Sequence, residues 1–186
     1  MTATPDTHAG GSPAPGSEVI TMVGPAGAGK TSARSRWPDA IVISLDELRA
    51  QFSWCGCSSN QDPRLRALVV EIAFTAARTV LDRGGRVLWD ATNAVATDRQ
   101  ALLALAAEYD AATHAVIVLP PLEQVLAQNA TRSQRRCPCG YTRAVPEAVV
   151  RAMHEAITRQ PPTTADGWHR VTVLDHHQSG GAVSTR

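Results

Sequence analysis

Aromatic side chains are scarce, at 4% of 186 residues. A core would have to be built from Val, Leu, Ile and Ala. No stretch approaches the ~20 consecutive apolar residues of a spanning helix, which excludes a helical membrane protein. Neither sign of charge dominates: the formal net charge is +1. The chain therefore lacks the global basic field that holds long nucleic acid non-specifically, and any such contact must come from a local cluster. Residues 1–17 contain no apolar run, so they are not a secretory signal and are expected to be a disordered leader. A cytoplasmic location is the corresponding expectation, with the four cysteines reduced or metal-bound rather than disulfide-bonded.

What is present is an alternation of short apolar runs and helical patterns. Glu18 to Val23 (EVITMV) is β-branched and reads as a buried strand. Further strands are predicted at Ala40 to Ile43, Arg86 to Trp89, His114 to Leu119 and Val171 to Leu174. A first helix is expected from Gly29 toward Arg36. Ser44-Leu45-Asp46-Glu47 fits a capping box, with Glu47 reaching back to Ser44. Leu65, Leu68, Val69, Ile72, Ala76 and Val80 have helical spacing. Thr97 and Gln100 suggest a second capping box. Pro121 and Pro146 open two more helices. Five strands alternating with helices predict an α/β fold with a parallel sheet, spanning 18–175 as one domain, and a polar tail over 176–186. In such sheets ligands bind at the carboxyl ends of the strands.

The most specific motif comes directly after the first strand. Gly24-Pro25-Ala26-Gly27-Ala28-Gly29-Lys30-Thr31 matches G-x-x-x-x-G-K-[ST], and Ser32 extends it into the helix. Glycines let successive backbone N–H groups curl around a phosphate, and the helix dipole behind them favours negative charge. Lys30 supplies a cation for the β and γ phosphates, and the Thr31 hydroxyl is placed to ligate Mg²⁺.

Two acids occur at later strand ends. Asp46 and Arg49 share one face of a short helix. Asp46 could take a proton from an attacking hydroxyl, and Arg49 could hold an anionic group on the acceptor. Asp90 ends the third strand in Asp90-Ala91-Thr92-Asn93, where a carboxylate can support a metal through water or orient an arginine. Between Glu123 and Glu147 there is no acid, while Arg132, Arg135, Arg136 and Arg143 all lie there. One-sign charge suits a lid over about 128–145 that closes on phosphates.

Taken together, GPAGAGKTS, SLDELR, LWDATN and NATRSQRR with AVPEAVVRAM resemble the P-loop kinases typified by polynucleotide 5′-hydroxyl kinases, the kinase type of phage and bacterial end-healing enzymes. The resemblance covers Glu18 to Leu174. It implies a P-loop NTPase-type three-layer sandwich with a five-stranded parallel sheet and a helical arginine-rich lid. It also implies ATP and Mg²⁺ bound by Lys30 and Thr31, with Asp46 as general base. Arg49 would contact the acceptor's phosphate, and Asp90 would support Arg49 or the metal site, with Asn93 beside them at the substrate. Arg132 and Arg136 would be lid arginines, and Arg135 a further nucleotide contact. The expected acceptor is the 5′-OH of a nucleic acid. A small-molecule kinase for a nucleoside, sugar or antibiotic, and a regulatory ATPase with no acceptor, remain alternatives.

The Cys137-Pro138-Cys139-Gly140-Tyr141 insertion departs from that pattern. It pairs with Cys55 and Cys57 as a second C-x-C. Four thiolates can make a tetrahedral Zn²⁺ site. Such a site would pin the base of the lid to the loop after Asp46.

Overall fold

A computed structural model describes residues 16–57, 62–132 and 136–174. Arg135, most of the expected leader and the C-terminal tail lie outside the described residues. Five strands form one sheet: β1 (Glu18–Val23), β2 (Ile41–Ser44), β3 (Arg86–Asp90), β4 (Ala112–Ile117) and β5 (Arg170–Val173). Every pairing is parallel, in the order β2-β3-β1-β4-β5. Parallel strands are covered on both faces and so read as continuous apolar runs, as EVITMV does. Val19, Ile20, Met22 and Val23 of β1 have no exposed surface.

Six helices connect and cover the strands: α1 (Lys30–Ala33), α2 (Leu45–Gln51), α3 (Pro63–Leu81), α4 (Ala96–Glu108), α5 (Leu122–Thr131) and α6 (Glu147–Arg159). On one face Val19, Val87 and Trp89 pack against Ala73, Ala77 and Leu81 of α3 and Leu102 and Leu105 of α4. On the other, Ile20, Met22, Leu88 and Val116 lie under Ala28, Ala33 and Trp37. The alternation along β1 thus divides its side chains between two cores.

Three local expectations are corrected. α1 stops at Ala33, and Arg34–Arg36 tightens into a 3₁₀ turn before Pro38, which disfavours helix in the residue preceding it. α4 starts one residue before Thr97, with Val95 at the cap and no side-chain capping bond. Ser44 does cap α2, accepting from the Glu47 amide at 3.4 Å, but the Glu47 carboxylate turns to Arg34 instead of reaching back.

The sheet order has a direct consequence for function. β3 lies between β1 and β2, with Ser44 level with Asp90. The segments leaving these three strands are therefore neighbours on one edge. They are the glycine loop, α2 and the Asp90 turn. No helix among the described residues is long and apolar enough to cross a membrane.

Candidate functional site

The glycine loop is fixed from two sides. The Gly24 amide donates to the Thr92 carbonyl at 3.0 Å, tying the loop to the turn after β3. At Gly27 φ is +91°, and a Cβ would stand 2.7 Å from the Val125 carbonyl oxygen and 3.2 Å from Asn129. No side chain fits there, so helix α5 sets how tightly the loop curls.

Lys30 is the only lysine in the chain. Its Nζ donates to the Gly24 and Pro25 carbonyls at 2.8 and 2.9 Å, which folds the ammonium back over the loop. Its pKa is lowered to about 8. Desolvation is the main cause and the nearby Arg132 charge adds to it, while Asp90 and Asp46 oppose it. Thr31 is exposed in the first turn behind it, where its hydroxyl is available to a metal.

Across from the loop, Asp46 is exposed in the first turn of α2 and paired with Arg49 one turn on. Its charge is felt at both Lys30 and Arg132, and its direct partner is Arg49. Asp90 is buried, and its partner is Arg34: Nε donates to Oδ2 at 2.6 Å. Arg49, the partner proposed from the sequence, is taken by Asp46. The same Arg34 guanidinium reaches Glu47 Oε1 at 2.5 Å. Arg34 therefore ties α1, β3 and α2 together. Sequence reading missed it because nothing local marks an arginine whose partners lie 13 and 56 residues away.

Asn93 has a positive φ of 46° and is buried. Its side-chain amide donates to the Met22 carbonyl at 2.7 Å, so it serves as a strut that fixes the turn after Asp90. Arg99, also buried and also missed, supports the same turn. Its guanidinium donates to the carbonyls of Asn93, Ala94 and Gln160. A buried guanidinium that satisfies three main-chain oxygens holds otherwise irregular backbone in place.

Helix α5 carries the start of the arginine-rich stretch and ends at Thr131. Asn129 clamps the end of α5 to the segment before α6, donating to the Val145 carbonyl at 2.7 Å and accepting from its amide at 3.0 Å. Arg132 ends α5, half-buried. Burial, then Arg143, lowers its pKa, and Asp46 and Tyr141 oppose this. Beyond it Arg136 bridges Thr142 in an antiparallel pair, a tight hairpin whose turn holds Pro138 and Gly140, both poor in helix interiors. Arg136 is exposed on that hairpin. Asp46, Asp90 and Arg132 are thus all within electrostatic reach of Lys30.

The four cysteines also converge. Cys55 and Cys57 lie just beyond α2, and Cys137 and Cys139 lie in the hairpin. Their sulfurs all lie within 4.8 Å of one another.

The AAA domain family matches residues 19–160. No curated protein matches the chain. Among solved structures, a chain of the Pnkp1/Rnl/Hen1 RNA repair complex superposes with a TM-score of 0.67 at 17% identity. The match covers 85% of this chain and 47% of that one, so this chain spans about half the length of that relative. Kti12 of Chaetomium thermophilum, in complex with ADP-AlF3, gives 0.57 at 18% identity over 86% and 89% of the two chains. A gluconokinase from Sinorhizobium meliloti 1021 gives 0.51 at 16% identity over 89% and 85%. At these identities the likeness is one of fold.

Proposed function

The chain belongs to the AAA domain family, and from that premise we propose that it is an ATP-dependent kinase whose acceptor is the 5′-OH end of a nucleic acid. The observation that carries the reading is the placement of Asp46. It is an exposed carboxylate on the strand-end edge that also carries the phosphate loop, and its charge acts on both Lys30 and Arg132. A base opposite a phosphate cradle is what hydroxyl activation requires, and a nucleotide-binding module has no need of one.

In this reading backbone N–H groups of the loop between Ala26 and Thr31 curl around the β phosphate, and Lys30 leaves the Gly24 and Pro25 carbonyls for phosphate oxygens. Thr31 holds Mg²⁺, which when bound neutralises charge on the nucleotide. Asp46 accepts the acceptor's proton as the γ-phosphoryl group moves in line. Arg132 stabilises the moving charge from the lid side, with Arg136 joining it on closure and Arg135 as a further nucleotide contact. Arg34 holds Asp90 between the two halves.

The nucleic-acid acceptor is supported by the residues C-terminal to Asp46. Arg49 can exchange Asp46 for an acceptor phosphate. Phe52 and Trp54, 48% and 83% exposed, offer ring faces on which bases stack without sequence preference.

The test pairs one substitution with a radiolabel transfer screen of oligonucleotide and metabolite acceptors. The wild-type chain should label 5′-OH oligonucleotides. Asp46→Asn should lower transfer by roughly 10²–10⁴-fold while nucleotide affinity stays unchanged. Labelling confined to a metabolite would overturn the acceptor. ATP turnover with no labelled acceptor and no response to Asp46→Asn would overturn the kinase reading as well, in favour of a regulatory ATPase.

A further inference from the structure

We propose that Cys55, Cys57, Cys137 and Cys139 bind one Zn²⁺ as a closed tetrathiolate site that ties the end of the Asp46 helix to the lid hairpin. Zinc–thiolate bonds of about 2.3 Å in a tetrahedron set the sulfurs about 3.8 Å apart. The four sulfurs lie within 4.8 Å of one another. Cys55 and Cys57 are 2.9 Å apart, and Cys57 and Cys139 3.4 Å. None of these is a disulfide, whose bond is near 2.05 Å. Nor is the crowding explained by core packing, since Cys139 is exposed and the other three are half-buried.

Two tight turns present the sulfurs. Gly56 sits between the first pair at φ +70°, and Gly140 comes after the second at φ +82°. The hairpin closes through the Cys137 amide to the Tyr141 carbonyl and the Gly140 amide to the Cys137 carbonyl, both at 2.8 Å. Four thiolates and a divalent cation leave a net charge of −2. Binding releases up to four protons, one from each thiol that was still protonated.

Four protein sulfurs leave no open position, so the metal has no catalytic water. Its role is mechanical. One pair lies beyond Asp46, Arg49 and Trp54, at the end of a seven-residue helix, and the other begins one residue beyond Arg136. The two sides of the acceptor entrance, 80 residues apart in sequence at Cys57 and Cys137, become one crosslinked body. The assignment does not depend on the identity of the acceptor.

The full-length chain, purified without added metal, should carry one zinc per molecule by elemental analysis. Exchange into Co²⁺ should give the intense d–d absorption of a tetrahedral tetrathiolate. Cys139→Ser and Cys55→Ser should each weaken zinc retention at least tenfold in competition with a chromogenic chelator. Nucleotide-induced thermal shift, which reads the Lys30 loop, should survive in both variants and so reports that they fold. Chelation of the wild type should speed amide hydrogen exchange in residues 45–57 and 136–145 together, leaving β1 and α3 unchanged. A metal-free protein with four titratable thiols overturns the site. So does an isolated Cys-Cys disulfide, or zinc retained unchanged in the serine variants.

Discussion

Around Gly27 and Lys30, the main chain and buried side chains set every position: carbonyls on the ammonium, an α5 carbonyl against the glycine, Asn93 and Arg99 under the adjoining turn. Around Asp46 and Arg136 the same edge of the sheet is held by an exposed ion pair, a short helix and a hairpin that contributes two thiols. The first region is held by neighbours distant in sequence at Gly24, Gly27 and the adjoining turn, with only the Lys30 ammonium bonded within its own loop. The second owes its shape to a few polar contacts that solvent can compete for. Under the proposed reading, a site that cradles a common nucleotide yet admits and releases an acceptor is well served by that division.

The contrast between the two regions meets its hardest test at Lys30. Lys30→Ala should reduce phosphoryl transfer by roughly 10²–10³-fold, the scale for losing one charged group from a stabilising constellation. Thermal stability should hold, because the side chain bonds only its own loop. A variant that unfolds instead would mean the loop depends on its ammonium. Gly27→Ala probes the opposite point. With φ at +91° and a Cβ 2.7 Å from a carbonyl oxygen, it should cost about 2 kcal/mol by denaturant titration and weaken nucleotide binding as well. An unchanged midpoint would show that α5 is free to move.

The smallest expected effect is a proton. With its pKa lowered to about 8 from 10.5, Lys30 binds fewer protons in the folded than in the unfolded chain between those values. Stability therefore gains from this group as pH rises through that window, and the cost of keeping the half-buried ammonium charged is fully present below it. Phosphates favour the charged form, so nucleotide binding should take up a proton above pH 8 and almost none well below it. Calorimetry in buffers of differing ionisation enthalpy measures this. Proton uptake that is flat across the window would rule out the shift.

Much of the first region is legible in the sequence, because a phosphate loop is a local pattern: strand, glycines at fixed offsets, Lys-Thr, helix. The parallel sheet is legible for a similar reason, as each strand contains a short apolar run. What escapes is whatever depends on distant pairing. Asp90 stands out as a strand-end acid, but its partner Arg34 does not. Asn93 stands out in DATN, but its bond to the Met22 carbonyl of β1 does not. Arg99 and Asn129 look like ordinary helix polar residues until the fold buries them. Pro121 reads as opening a helix that continues into the arginine-rich stretch, and from Arg136 the described chain turns through Pro138 and Gly140 as a hairpin. The C-x-C pairs are visible in the sequence, and their convergence is a property of the fold.

A chain whose other fixed side-chain cations are all arginine has placed its one ε-amine on the phosphate loop. Acylation, carbamylation or glycation of lysine would therefore strike this protein at its nucleotide cradle, with no surface lysines to absorb the damage. An amine held near pKa 8 is also a better nucleophile at neutral pH than an ordinary lysine. Occupancy by nucleotide would then protect the chain chemically as well as engage it.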